Sequence, residues 1–311
     1  MTKVEEAEDT PLGFWARLWG GLWALTALAV LLTYWQQPYY LTLLSAFRFQ
    51  MLWVLVAVSV PPLFVFPGKR KLLFVAVPLT FGLSFASYLL PTGRTPATAD
   101  SVTLVTANLY AGNRNLVRLQ DWLEQNPTEI VGLLELSDHH QEAILRLGYE
   151  YTLLEPREDA FGIGLLSRKT PLRAEILGAQ SRFPALFAEF ETFQVVLAHP
   201  PPPVNAELRE LGDRQLEELL AFLESSKKPT VFMGDLNATG WDLRVLPLKE
   251  NGYKDARQGH GLLPTWPVDN SLLQIPIDHI FVPRTWTVHE CGVGPDIGSD
   301  HFPLRAVVTP G

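Results

Sequence analysis

Three uncharged apolar runs, Leu18–Trp35, Phe49–Phe66 and Leu72–Leu90, fill most of the first ninety residues and decide what this stretch can become. Each is about as long as a helix that crosses a hydrocarbon core of roughly 30 Å. A core helix of a water-soluble domain needs a polar face toward solvent, and these runs have none. A cleavable signal peptide fits poorly, because the start of the chain is acidic (Glu5, Glu6, Glu8, Asp9) and two more apolar runs follow the first. Trp15, Trp19 and Trp23 gather at one end of the first run and Tyr34, Trp35, Tyr39 and Tyr40 at the other, where amphipathic rings sit at headgroup level. Pro61, Pro62 and Pro78 fall inside the runs, a place where neighbouring helices can satisfy the freed carbonyls. The expectation is an N-terminal membrane anchor over residues 1–90 with three transmembrane helices, touching the lipid bilayer through residues 18–90. Lys69, Arg70 and Lys71 form the one basic cluster of this region. The positive-inside rule assigns that loop to the cytoplasm and, after three crossings, the rest of the chain to the extracytoplasmic side of a multi-pass cell-membrane protein.

Residues 91–100, rich in Pro, Thr, Gly and Ala, read as a linker. From residue 101 to 311 short apolar runs alternate with amphipathic stretches, the pattern of an α/β or α+β layer architecture. Strands are expected over Val102–Tyr110, Ile130–Leu136, Gly162–Ser167, Leu186–Phe190, Gln194–Ala198, Thr230–Gly234, Ile277–Val282 and Leu304–Val308. Helices are expected over Asn115–Gln125 and Ala206–Glu224, where Leu208, Leu211, Leu219 and Leu223 recur at helical spacing. The single cysteine, Cys291, excludes an internal disulfide framework and a zinc–thiolate cluster. Residues 100–311 hold 29 of the 33 acids but 18 of the 25 bases, a net charge of −11. Such a surface repels long nucleic acids unless a basic strip or a bound metal offsets it.

The strands end in residues that are costly to bury. Asn108 closes the Val102 strand, Glu135 the Ile130 strand, His199 the Val195 strand, and Asp235 and Asn237 the Val231 strand. Asp278-His279 opens the Ile280 strand, and Ser299-Asp300-His301 precedes the last one. Six polar ends that meet at one edge of a sheet make a site. Glu135, Asp300 and the amide oxygen of Asn108 are hard donors that suit Mg²⁺ or Mn²⁺. Asp235 and Asn237, two apart, point to one side of an extended strand end, so that a carboxylate can take a proton from water while an amide holds the water or a phosphoryl oxygen. His199 and His301 can donate to charge on phosphorus oxygens, with Asp278 behind His301 to keep it oriented and cationic. His279 faces away from Asp278 on a strand and reads as packing or as support behind the site. Trp241 and Trp266, near loops at the site, serve either packing or stacking on a ligand.

The residues and their order resemble the endonuclease/exonuclease/phosphatase superfamily, in its membrane-anchored bacterial branch. The motifs that carry the resemblance are Thr106-Ala107-Asn108-Leu109, Leu133-Leu134-Glu135-Leu136, Phe161-Gly162-Ile163-Gly164-Leu165-Leu166-Ser167-Arg168, His199-Pro200, Gly234-Asp235-Leu236-Asn237-Ala238, Ile277-Asp278-His279-Ile280 and Ser299-Asp300-His301-Phe302-Pro303. The resemblance implies a four-layer sandwich, two mixed β-sheets face to face with helices outside. It implies that Glu135 and Asp300 bind the metal with Asn108 beside them, that Asp235 activates water, that Asn237 positions the scissile phosphate, that Asp278 orients His301 and that His199 contacts the phosphate. In related deoxyribonucleases a glutamate backs the histidine that corresponds to His199; here the nearest candidates are Glu158 and Asp159. The expected function is a membrane-anchored, divalent-metal-dependent phosphoesterase that attacks a phosphodiester or phosphomonoester with an activated water. Its substrate partner is a lipid headgroup, a small phosphodiester or a nucleic acid, and no protein partner can be inferred. A DNA or RNA nuclease is the alternative. A non-catalytic membrane binding protein is a remote one, since it predicts loss of acid or histidine positions and none is missing.

Overall fold

The computed structural model describes residues 11–36, 38–93, 95–178, 181–224 and 228–311; the acidic residues Glu5, Glu6, Glu8 and Asp9 lie outside them. The chain begins with helices α1 (Pro11–Leu32), α2 (Tyr39–Ala46), α3 (Arg48–Ser59), α4 (Pro62–Val65), α5 (Lys71–Leu83) and α6 (Ala86–Leu89). Two stretches, Gly13–Leu32 and Arg48–Val65, are long and apolar enough to cross a membrane. The expected third span is not of that kind. Its helix stops at Leu83, and its 13 residues reach only about 20 Å at the rise of an α-helix, short of a hydrocarbon core. The break has a cause in packing: Phe85 is fully buried, with its ring edge-on to Trp241 at 5.0 Å and to Phe49 at 5.2 Å, so the end of the run is bound to the following domain.

Helices α1 and α3 run antiparallel. Arg48 at the start of α3 donates to the Thr33 hydroxyl and carbonyl just past the end of α1, whereas Phe66 reaches Gly20 in the first half of α1. Lys69–Lys71 therefore sits at the opposite end of the bundle from residues 33–48. That latter end is docked on the rest of the protein. Arg209 donates to the Gln36 carbonyl and to the Thr42 hydroxyl, Trp241 Nε1 donates to the Ser45 carbonyl at 2.8 Å, and the Leu243 N–H donates to Gln36 Oε1 at 2.8 Å.

After residue 100 come β1 (Val102–Asn108), α7 (Val117–Gln125), β2 (Ile130–Leu134), α8 (Gln141–Leu145), β3 (Tyr151–Glu155), β4 (Ile163–Ser167), β5 (Arg173–Leu177), β6 (Ala185–Glu189) and β7 (Gln194–Ala198). Then follow α9 (Ala206–Glu224), β8 (Thr230–Asp235), α10 (Leu246–Glu250), β9 (Tyr253–Asp255), β10 (Asp278–Pro283), β11 (Thr287–Val293) and β12 (Leu304–Thr309). They form two mixed six-stranded sheets, ordered β11-β12-β1-β2-β4-β3 and β5-β6-β7-β8-β10-β9. The sheets face each other across an apolar core that includes Leu104, Ile130, Leu197, Met233, Ile280 and Leu304. Helix α7 covers one outer face through Leu119 and Leu123, and α9 covers the other through Leu216, Leu219 and Leu223. This is the expected four-layer α/β sandwich.

All eight expected strands are present. The four that sequence reading missed, β3, β5, β9 and β11, are the four sheet edges. An edge strand is half solvated, so its side chains do not form the continuous apolar run that marks a strand buried on both faces. The register of the interior strands places the polar ends together. Asn108 pairs with Leu134, the residue before Glu135, and Asp278 pairs directly with Asp235.

Candidate active site

Asp235 Oδ2 is the meeting point of the site. It accepts a hydrogen bond from Asn108 Nδ2 at 3.2 Å and faces His199 Nε2 at 3.6 Å and His301 Nε2 at 3.7 Å. Oδ1 accepts from the Asn237 backbone N–H at 2.9 Å. This corrects the extended geometry expected for Asp235 and Asn237: Asn237 has φ of 48°, and the pair forms a tight turn that the aspartate itself closes. The Asn237 side chain donates to the Pro200 carbonyl at 3.1 Å, tying the end of β8 to the end of β7.

His301 Nδ1 lies 2.8 Å from Asp278 Oδ2. Burial disfavours charge on His301, but Asp278 and Asp235 outweigh it and push its pKa up to about 10, so the ring is an imidazolium at neutral pH. His199 is the opposite case. It is 4% exposed, and burial lowers its pKa, which keeps the ring neutral. Asp235 is raised, first by burial and then by repulsion from Asp278, the direction that makes a carboxylate a better base. Two histidines of opposite charge state thus flank one basic carboxylate.

Neither acid expected behind His199 is there. Glu158 and Asp159 are exposed, and Asp159 is held by Arg157 at 2.9 Å. The backbone of Ala160 is the polar group beside the ring, and Nδ1 makes no hydrogen bond of ordinary geometry. Phe161 packs against His199 with centroids 5.3 Å apart.

Glu135 follows β2 with φ of 53°, a left-handed conformation that turns its carboxylate back over the strand end. Its Oε1 accepts from Asn108 Nδ2 at 3.0 Å and its Oε2 from the Ala111 N–H at 3.0 Å. Asn108 thus offers its amide NH₂ to both carboxylates. The amide oxygen expected to face a cation is taken by the Tyr110 N–H at 2.9 Å, a donor that fixes which way the amide points. Asp300 is exposed, with Oδ2 accepting from Trp266 Nε1 at 3.0 Å. Glu135, His199, Asp235, Asn237, Asp300 and His301 all line one cleft of about 590 Å³. Asp235, Asp278 and His301 also bring ligand atoms within 4.8 Å of one another, a spacing in which a metal ion could sit. The 2.8 Å hydrogen bond from His301 to Asp278 fills part of that spacing with a proton.

Two arginines that sequence reading passed over support the site, Arg244 on the cleft and Arg257 from behind. Arg244 donates to the Asn237 carbonyl. Arg257, fully buried, donates to the Asp278 carbonyl and lies beside Asp255 and His279. His279, as expected, packs away from the cleft, between Asp255 at 3.0 Å and the Ala238 carbonyl at 2.8 Å. Burial would raise Asp255, but Arg257 and then His279 hold it well below the usual carboxylate range. Its contribution to stability is present above about pH 4 and lost as pH falls through the depressed value. Replacing Arg257 with Leu leaves that carboxylate buried without its cation, and should cost about 3–5 kcal/mol in urea unfolding. A cost within experimental error would show the network to be dispensable.

Residues 105–301 match the Endonuclease/Exonuclease/phosphatase family. None of the curated proteins matches the chain. Among solved structures it is similar to a TDP2 of D. rerio humanized by 14 mutations, at 20% identity and a TM-score of 0.56, covering 68% of this chain and 100% of that one. It is also similar to an endonuclease/exonuclease/phosphatase from Beutenbergia cavernae, at 17% identity and a TM-score of 0.54, covering 68% and 72%. A third similar structure is D. rerio TDP2 complexed with a single strand DNA product, at 19% identity and a TM-score of 0.54, covering 68% and 99%. At these identities the likeness is one of fold. The family match runs from β1 to His301 and takes in each cleft residue described above, so the chain belongs to the endonuclease/exonuclease/phosphatase family of phosphate-ester hydrolases.

Proposed function

We propose that this protein is a membrane-anchored, divalent-metal-dependent phosphoesterase in which Asp235 takes the proton of the attacking water. The observation that carries the reading is the convergence on Asp235 Oδ2 of His199, His301 and the Asn108 amide. Water held against Asp235 loses its proton as its oxygen approaches phosphorus. The His301 imidazolium, fixed by Asp278, donates to the phosphoryl oxygens as charge builds there, and His199 contacts the same group from the other side. Asn237 has one amide N–H committed to Pro200 and a second for the scissile phosphate.

Glu135 and Asp300 are the residues that would hold Mg²⁺ or Mn²⁺. Their donor chemistry fits: each is a carboxylate on the cleft with unfilled oxygen lone pairs, and hard oxygen donors suit those ions. Such an ion supplies positive charge to the leaving oxygen and the phosphoryl oxygens.

Residues 1–90 form the anchor in this reading, 91–100 the linker and 101–311 the catalytic domain. Leu25, Leu28 and Leu31 of α1 and Val54 and Phe64 of α3 and α4 are exposed, as side chains that face lipid must be. Lys69–Lys71 lies at the end of the helical bundle opposite the one docked on the catalytic domain, so a cytoplasmic Lys69–Lys71 puts that domain on the extracytoplasmic side, the chain returning along the bundle through the two shorter helices α5 and α6. The test is hydrolysis of bis-p-nitrophenyl phosphate by the full chain in detergent. Activity should appear with Mg²⁺ or Mn²⁺ and vanish with chelator. Activity that survives chelation would refute the metal requirement, and no hydrolysis under any ion would refute the enzyme.

A further inference from the structure

The catalytic cleft is not built by the catalytic domain alone. Thr42, Leu43, Ala46 and Phe47, at α2 of the N-terminal helical region, line it together with Glu135, Asp235 and His301. Helix α2 is fixed in that position. Its Thr42 hydroxyl accepts from Arg209 at 2.6 Å, its Ser45 carbonyl accepts from Trp241, and Gln36 just before it bonds Trp241 and Leu243. Thr42 and Ser45 face the domain and are buried, while Leu43, on the cleft, is 37% exposed. Phe161, Ile275 and Ile277 add further apolar surface to the same cleft.

A ligand that fills this cleft must carry a phosphate ester at one end and apolar substance at the other. A nucleic-acid strand does not match. Its next unit is another phosphate, and among the described residues that line the cleft Arg244 is the only lysine or arginine, against Glu135, Asp235, Asp242 and Asp300. A bilayer lipid does match. About 590 Å³ takes a headgroup, the phosphate and the first part of the apolar portion, while the rest stays in the bilayer beside α2.

We propose that the substrate is a phosphodiester lipid of the bilayer, with its phosphate at Asp235 and its apolar portion along Leu43 and Phe47. This rests on the phosphoesterase reading above. Hydrolysis adds water across one P–O bond: the water oxygen bonds to phosphorus, the leaving oxygen departs with a proton, and a phosphomonoester and an alcohol result with no change of oxidation state.

The experiment uses the full chain in nanodiscs with Mg²⁺ and four probes: phosphatidylglycerol and phosphatidylethanolamine in the disc, their deacylated glycerophosphodiesters in solution, a single-stranded DNA oligonucleotide, and bis-p-nitrophenyl phosphate. A lipid should turn over at least about tenfold faster than its deacylated form, since burying even a few methylenes is worth that much. Leu43→Glu with Phe47→Glu should lower lipid turnover roughly tenfold more than turnover of bis-p-nitrophenyl phosphate. Equal turnover of lipid and deacylated diester, faster cleavage of DNA, or an equal loss on both substrates in the variant would each overturn the inference. The comparison of lipid with deacylated diester needs no variant, so misfolding of the double mutant leaves the test intact. Hydrolysis of bis-p-nitrophenyl phosphate without lipid preference sinks this inference alone; no hydrolysis of any probe sinks it with the phosphoesterase reading.

Discussion

Asp235→Asn should lower turnover of bis-p-nitrophenyl phosphate by about 10²–10⁴-fold, the range that a positioned general base contributes. The substitution keeps the shape of the side chain and the bond from the Asn237 N–H, because an amide oxygen can replace Oδ1. What it removes is the carboxylate between the two histidines that takes the proton in the proposed mechanism. The fold should survive. Asp235 is a carboxylate that burial and Asp278 make reluctant to ionise, so its loss relieves repulsion, while His301 retains Asp278 at 2.8 Å. The expected result is a near-normal thermal midpoint with the rate nearly gone. A variant that keeps a tenth or more of the wild-type rate would take Asp235 out of the chemistry.

The same geometry sets a pH dependence of stability. His301 is pushed up to about 10 in the folded protein, against about 6.5 for a free histidine. The stabilisation from its protonated ring is therefore complete below about pH 6.5 and disappears as pH rises through about 10. Asp278→Asn removes the closer of its two carboxylates and should flatten that alkaline loss.

Much of this site was legible in the sequence because the strands that carry it are interior. β1, β2, β7, β8 and β10 are buried on both faces, so each appears as a mostly apolar run, and a carboxylate, amide or imidazole at its end stands out. Asn108, Glu135, His199, Asp235 and Asp278 are such residues. What could not be read lay where two parts of the chain meet. Nothing around Glu158 or Asp159 says that Arg157 will bind the second and leave the first in solvent. Phe85 looks like one more apolar residue of a span until Trp241 is found against it. Helix α2 left only a faint trace, Thr42 and Ser45 three apart on one face between apolar neighbours, and its role as a cleft wall depends on Arg209 and Trp241 far along the chain. Arg244 and Arg257 gave no signal, since a lone arginine after a strand reads as a solvated end.

Gly234→Ala should be the most destabilising small substitution near the cleft, by roughly 4 kcal/mol or more, because two separate penalties add. The residue has φ of 141°, a conformation that costs an L side chain energy whatever its surroundings. In addition, a Cβ there would lie 1.9 Å from the Ala198 carbonyl oxygen. That oxygen belongs to backbone and cannot swing aside, because β7 is hydrogen-bonded to β6 on one side and β8 on the other. Either β8 lifts from β7 or the chain leaves its register, and Asp235 and His199 are the residues next to the break. Activity should therefore fall along with stability, unlike Asp235→Asn, where the two separate. Gly252→Ala supplies the contrast: its φ of 86° is also unfavourable, yet nothing lies within 4 Å of its Cβ, so only the backbone strain remains, about 1–2 kcal/mol. Urea unfolding of both variants measures the difference. If Gly234→Ala costs no more than Gly252→Ala, the close approach of β7 and β8 does not constrain the alignment of His199 with Asp235.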